Sequence, residues 1–245
     1  ILAIVVAALG LPFILFGIKE RPEYVMDVEK GPGFFKAAKI TLKNKTFLIF
    51  VIGNMFVWYV FGLLPTIFPL YAEHVLDVKP EQTFLISLPL LAAFLVTVIS
   101  FPIHKKLGTK FGMRNSFIIN CIIWAVVLFP YIFLTAGDIY LAIGITALQG
   151  FPLAGAMYYV DIIIGDIIDE DETKTGCRRE GSYYGMNAFI HRFSILLKIT
   201  TIALVFKGTG WTEYTPNPGV NVILGLKLLM VLFPILGICA VIICL

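Results

Sequence analysis

The chain has 245 residues, of which 59% are hydrophobic and only 14% charged. A water-soluble domain carries about 25% charged residues, so these cannot cover a water-facing surface, and a formal charge of +3 is too small to support nucleic-acid binding. The four cysteines form no CxxC pair and no Cys/His cluster, which supports neither a disulfide framework nor a metal site.

The first element, Ile1–Ile18, is an apolar run without a preceding basic segment or a small-residue cleavage site, and so does not read as a signal peptide. It is expected to be a truncated transmembrane helix. Because Leu245 also ends an apolar run, the chain is expected to be a piece of a longer protein. Residues 19–45 form a long basic connection containing Pro22, Gly31, Pro32 and Gly33. Within it, Phe34–Lys45 is expected to form an amphipathic helix on the membrane surface, its lysines reaching toward lipid headgroups.

A crossing helix needs about 20 mostly apolar residues. Six further runs meet that length: Thr46–Ala72, Gln82–Ile103, Asn115–Gly137, Ile139–Gly165, Ser182–Phe206 and Val222–Leu245. None alternates as a barrel strand does; all are apolar around the whole wheel. The reading is therefore an all-α, multi-pass membrane protein of seven spans. Pro65, Pro69, Pro89, Pro130, Pro152 and Pro234 are expected to interrupt spans, as in helices that line a cavity or bend. Lysine and arginine fix the orientation. Fourteen fall in connections one, three and five and three in the alternate ones, which makes the first set cytoplasmic.

Ionisable groups inside a span are costly and mark an interior or a wet cavity. The sixth span holds His191, Arg192 and Lys198, with Tyr184, Asn187, His191, Ser194 and Lys198 on one side of a continuous helix. The fifth span holds Asp161, expected to pair with a basic residue of the sixth. The second span holds Trp58 and Tyr59, aromatic rings suited to a sugar face. Candidate substrate contacts are thus Arg192, Asn187, Trp58, Tyr59, Tyr184 and Lys198, with Asp161 and His191 as intramembrane titratable groups. After the fifth span, Asp166–Glu180 is read as a charged cytoplasmic loop whose acids and bases form salt bridges that latch one face.

That loop carries the pattern D-x-x-D-x-x-E-x-K-T-G-x-R-x-E-x-x-x-Y through Asp166, Asp169, Glu172, Lys174, Thr175, Gly176, Arg178, Glu180 and Tyr184. In this it resembles the glycoside–pentoside–hexuronide:cation symporters, the melibiose-permease type within the major facilitator superfamily. Tyr214-Thr215-Pro216-Asn217 and the Pro102, Lys105-Lys106, Gly108 connection are similar too. The resemblance implies a major-facilitator-type C-terminal six-helix bundle (residues 46–245) preceded by the sixth of twelve helices (1–18) and an inter-bundle loop (19–45). It implies cation-coupled symport of a sugar or sugar-like solute across the cell membrane by alternating access. Arg192 matches the family's basic residue in the eleventh helix and Asn187 a polar amide; Met157 and Ala188 depart from the family's aromatic and hydroxyl. The cytoplasmic gate would use Asp166, Asp169, Glu172 and Arg178, with Arg114 or Lys110 as partners. The coupling cation, Na+ or H+, is expected in an N-terminal six-helix bundle preceding this chain, the natural partner besides membrane lipids.

Two other readings compete: a lysophospholipid-type major facilitator transporter, and a seven-helix receptor or retinal protein, for which Lys227 sits at the edge of the last span. No HExxH, GxSxG or phosphate-cradling glycine motif occurs. The chain is therefore expected to be no enzyme and to hold no resident cofactor.

Overall fold

The computed structural model describes residues 34–210 and 220–245, together with Ala8, Leu11 and Gly17. The chain divides into two compact units, Ile1–Ala37 and Ala38–Leu245. The first unit contributes the opening of a helix, α1 (Phe34–Thr41). The expected first span Ile1–Ile18, the larger part of the 19–45 connection and the run Tyr214-Thr215-Pro216-Asn217 lie outside the described residues. The second unit holds the helices from Lys45 onward.

Hydrocarbon offers no partner to a backbone N–H or C=O, so a crossing segment must satisfy both internally. Among the described residues all regular structure is helical, as the apolar runs require. The helices are α2 (Lys45–His74), α3 (Thr83–Phe111), α4 (Met113–Leu128), α5 (Ile139–Thr175), α6 (Glu180–His191), α7 (Phe193–Thr209), α8 (Val220–Met230) and α9 (Leu232–Cys244). They make six stretches long and apolar enough to cross a membrane, α6–α7 and α8–α9 each forming one. α2 stands at the centre, packed against α5, α6, α7, α8 and α9, while α3 and α4 pack on α5.

Three expectations are corrected. The fifth span does not end near Gly165: α5 continues to Thr175, where Gly176 in the left-handed region (φ 69°) returns its N–H to Glu172 O. At 1.5 Å per residue a helix of 37 residues is about 55 Å long, so its charged end stands clear of a hydrocarbon core about 30 Å thick. The sixth span is not one continuous helix, because α6 stops at His191 and α7 starts at Phe193. Pro65, Pro69, Pro89 and Pro152 do not break their helices. Only Pro130, in the 3-10 turn Phe129–Ile132, and Pro234, in the first turn of α9 after a break at Val231, coincide with interruptions. Proline at a helix start loses no internal bond.

Polar side chains lock the bundle from inside. Asn44 caps α2 by accepting from Phe47 N (3.2 Å), and its Nδ2 donates to Tyr183 Oη (3.1 Å) on α6. Lys227 donates to Ile132 O (3.0 Å), a carbonyl at the end of the fourth span. The tightest lock surrounds α5. Thr97 Oγ1 donates to Gly150 O (3.0 Å), Asn120 Nδ2 to Pro152 O (3.0 Å), and His104 Nε2 bonds Phe151 O (2.9 Å). Three adjacent carbonyls of α5 thus each accept a bond from α3 or α4 on a lone pair free for a second donor. This requires backbones in close approach. A Cβ on Gly150 would lie 2.2 Å from Ala93 O, and one on Gly155 2.2 Å from Asn120 Oδ1. Small residues at membrane helix interfaces permit such contact.

Gly150→Val is therefore expected to destabilise the bundle by about 1–3 kcal/mol, the usual cost of overpacking, since the obstructing atom is backbone. Gly144, whose Cβ would meet open space, serves as control. Thermal unfolding in detergent should show a clear fall in Tm for Gly150→Val and almost none for Gly144→Ala; equal behaviour of the two would refute the lock.

Candidate functional site

α2 and the α6–α7 pair lie side by side and run in the same direction, because their contacts climb together. Asn54 meets Asn187, Trp58 meets His191, and Thr66 meets Lys198. Both follow a connection rich in lysine and arginine. On α2 these positions, with Gly62 between them, recur every four residues and form a single ridge.

This ridge meets the polar residues Asn187, His191 and Lys198 of α6 and α7. Asn54, 2% exposed, donates from Nδ2 to Asn187 Oδ1 (2.8 Å), while its own Oδ1 is buried without a partner among the described residues. The Trp58 indole stacks on the His191 ring at 4.9 Å and 17°, and the residue remains 41% exposed. Lys198 lays its aliphatic stem where Gly62 has no side chain, a Cβ there lying 3.6 Å from Cδ, and donates to Thr66 Oγ1 (3.2 Å). The lysine thus covers apolar surface with its stem and finds a hydroxyl for its charge.

Beside this seam is a recess of about 100 Å³ whose walls include Asn54, Trp58, Trp124, Met157 and Asp161. It adjoins a larger cavity of about 360 Å³, with Phe61, Trp124 and Leu153 shared between them. Pro65, Pro69 and Pro89 line the larger cavity, so these three prolines face a hollow even though they leave their helices continuous. Trp124 and Gln149, buried on α4 and α5, are functional candidates that sequence reasoning missed. Gln149 is an amide in mid-span, the same signal that singled out Asn187.

The other candidate residues are dispersed. Tyr59 is 3% exposed and donates to Thr201 Oγ1 (3.2 Å), facing α7 rather than either cavity. Tyr184 is exposed on α6 and lines neither cavity. Arg192 sits at the break between α6 and α7, exposed, outside the walls of both cavities. The expected ion pair between Asp161 and the sixth span is not formed among the described residues. Lys198 reaches Thr66 instead, and Asp161 opens onto the recess.

Beyond the end of the apolar stretch of α5, the charges of α5, of the turn after it and of α6 close upon each other. Arg178 gathers Asp169 (3.3 Å), Glu172 (2.7 Å) and Glu180 (2.5 Å). The Glu180 and Glu172 carboxylates hold its pKa above the usual guanidinium value. Arg179 pairs with Asp171 (2.6 Å), a buried carboxylate, and Lys174 with Glu170 (2.5 Å). Arg114 and Lys110 are not the partners of these acids. α5 runs on to Thr175, and the turn at Gly176 brings Arg178 and Arg179 straight back onto its last turns, while Lys110 lies over the Phe111 ring at 5.2 Å. Asp166 is exposed and takes no part in the ion pairs found among the described residues. Asp171, Arg179 and Glu170 were not singled out in the sequence, since acids and bases so closely spaced permit many pairings.

Comparison with known proteins gives a consistent picture. The model of a family described as MFS/sugar transport protein matches residues 1–245. An uncharacterized symporter of Synechocystis sp. is 22% identical over 222 residues, 85% of this chain and 40% of that protein. A protein of Salmonella typhimurium provisionally named as a sulfoquinovose importer is 25% identical over 222 residues, 89% of this chain and 45% of its own length. The chain thus spans less than half the length of these curated relatives.

The two arginines of the charged turn should behave differently when removed. Arg179→Ala strands the buried Asp171 carboxylate, at a cost of about 1–3 kcal/mol for an unsatisfied buried group. Arg178→Ala releases acids that water already solvates. Melting curves in detergent should place Arg179→Ala well below Arg178→Ala, and the reverse order would contradict this geometry.

Proposed function

The chain belongs to the MFS/sugar transport protein family, and from that premise we propose that the full-length protein is a cation-coupled symporter of a sugar or sugar-like solute. The observation that carries this reading is the recess between α2 and α5. There the Asp161 carboxylate can accept from solute hydroxyls, Trp58 offers an indole face to the C–H surface of a sugar ring, and Asn54 holds a buried acceptor without a donor. A recess of about 100 Å³ is smaller than the 300–1,000 Å³ typical of a complete ligand pocket. It fits one wall of a site that a second bundle completes.

In this mechanism the solute binds near mid-membrane between two bundles. Asn187 acts through Asn54, whose amide it orients, and Arg192, exposed at the α6–α7 break, is free to face the opposing bundle. The coupling cation, Na+ or H+, binds acidic residues of the helices that precede this chain and favours closure around solute. The Arg178 cluster lies outside the apolar stretch, where exchange of its partners can bias which side is open.

Uptake by the full-length protein in proteoliposomes tests the proposal. Saturable sugar uptake should rise with an inward Na+ or H+ gradient, and sugars should compete where lysophospholipids do not. Asp161→Asn and Arg192→Ala, each removing a charge-assisted hydrogen bond worth about 1.5–3 kcal/mol, should lower transport efficiency about ten- to hundredfold. Unchanged uptake in Arg192→Ala would remove that residue from the site, and uptake indifferent to both gradients would reject symport.

A further inference from the structure

The larger cavity, about 360 Å³, has a use that the sugar recess does not explain. It lies among α2, α3, α5 and α8, and its walls are apolar, with Phe61, Phe68, Ile86, Leu90 and Leu153 among them. Ser87, Trp124, Tyr131, Thr146 and Gln149 are the polar-bearing residues among them, and Tyr131 and Thr146 bond each other. Gln149 is 7% exposed, yet its amide makes no hydrogen bond to any described residue. A buried amide normally finds a partner, and leaving one without costs about 1–3 kcal/mol. Because Gln149 lines the cavity, a group held there can supply that partner.

Water alone is a poor occupant, because an internal water needs 2–4 polar partners and the surrounding surface is mostly hydrocarbon. An apolar group bearing a single hydrogen-bonding atom satisfies both the walls and the amide. The cavity also continues the sugar recess, sharing Phe61, Trp124 and Leu153 with it. A solute bound at Trp58 and Asp161 would therefore extend a substituent directly into it. We propose that this cavity is a subsite for an apolar substituent of the transported solute, an aryl or short alkyl group with one hydrogen-bonding atom that Gln149 recognises. The identity of the solute rests on the transport reading above; the subsite rests on Gln149 and the cavity.

The test uses full-length protein in nanodiscs with Trp58 and Trp124 retained as its only tryptophans, so that emission reports from the recess and the shared wall. Two sugar-free probes, 4-bromobenzyl alcohol and 4-bromotoluene, quench tryptophan through bromine and differ by one hydroxyl. Both should quench saturably, and Ser87→Phe with Leu90→Phe, which fills the cavity, should abolish that saturation. Gln149→Leu keeps the shape and removes the amide. It should shift the ratio of the two affinities about three- to tenfold toward 4-bromotoluene, the fold-change for one hydrogen bond. A purely structural role for Gln149 would leave the ratio unmoved. The 4-bromophenyl glycosides of glucose or galactose should quench in the same cavity-dependent way, and their methyl glycosides should bind more weakly.

Linear quenching, as expected from partition into lipid, or quenching unaffected by the filled cavity would overturn the subsite. So would saturable quenching by a bromo-acyl lysophosphatidylcholine but by neither aryl glycoside, since the occupant would then be a lipid chain. Because the first two probes carry no sugar, failure of sugar uptake would leave their result standing and would count only against the transport reading.

Discussion

The close approach of α5 to α3 and α4 governs the geometry of this bundle. Gly150 admits the α3 backbone and Gly155 leaves room for the Asn120 and His104 side chains, so that Thr97, His104 and Asn120 reach three consecutive carbonyls of α5. Between apolar helices in lipid there is little hydrophobic drive to associate, so packing and hydrogen bonds must hold them. Gln149, Leu153 and Met157, which line the two cavities, are carried on the same rigid helix. The hollow is therefore shaped by a wall that does not adapt easily.

The seam between α2 and α6–α7 has the opposite character. Its contacts are single polar pairs, spaced four residues apart on α2, and several of its members remain partly exposed. α6 ends at His191 and α7 begins at Phe193, so the helix carrying Asn187 and His191 is joined to the one carrying Lys198 by a single non-helical residue. A locked wall facing a seam of individually weak pairs is an arrangement in which one side of a site can move while the other keeps its shape.

Charge is distributed by the same logic. Inside the apolar stretch, Lys198 is tolerated because its stem covers Gly62 and its ammonium meets Thr66, and Asp161 because it opens onto a recess. Where α5 leaves the apolar stretch, acids and bases collect freely around Arg178 and Arg179. Ions in lipid need a partner or a cavity, whereas around Arg178 at the exposed end of α5 water screens the charges, and only the buried Asp171 depends on its one arginine, Arg179.

The sequence by itself determined the helical membrane class and six of the spans. Apolar runs of crossing length and a lopsided distribution of lysine and arginine leave few alternatives, because lipid penalises every unsatisfied backbone group. It also marked Trp58, Asn187, His191 and Lys198 as unusual, since a polar side chain at mid-span is costly wherever it points. Only the tertiary structure decided which of these meet. Tyr59 turned to Thr201, Arg192 fell at a helix break, and Asp161 paired with no base of the sixth span, while Asn54, Trp124 and Gln149 proved to line the hollow. The reason is geometric. A helical wheel ranks residues around one helix, but which neighbour faces them depends on close approaches such as Gly150 against Ala93, between residues far apart in the chain.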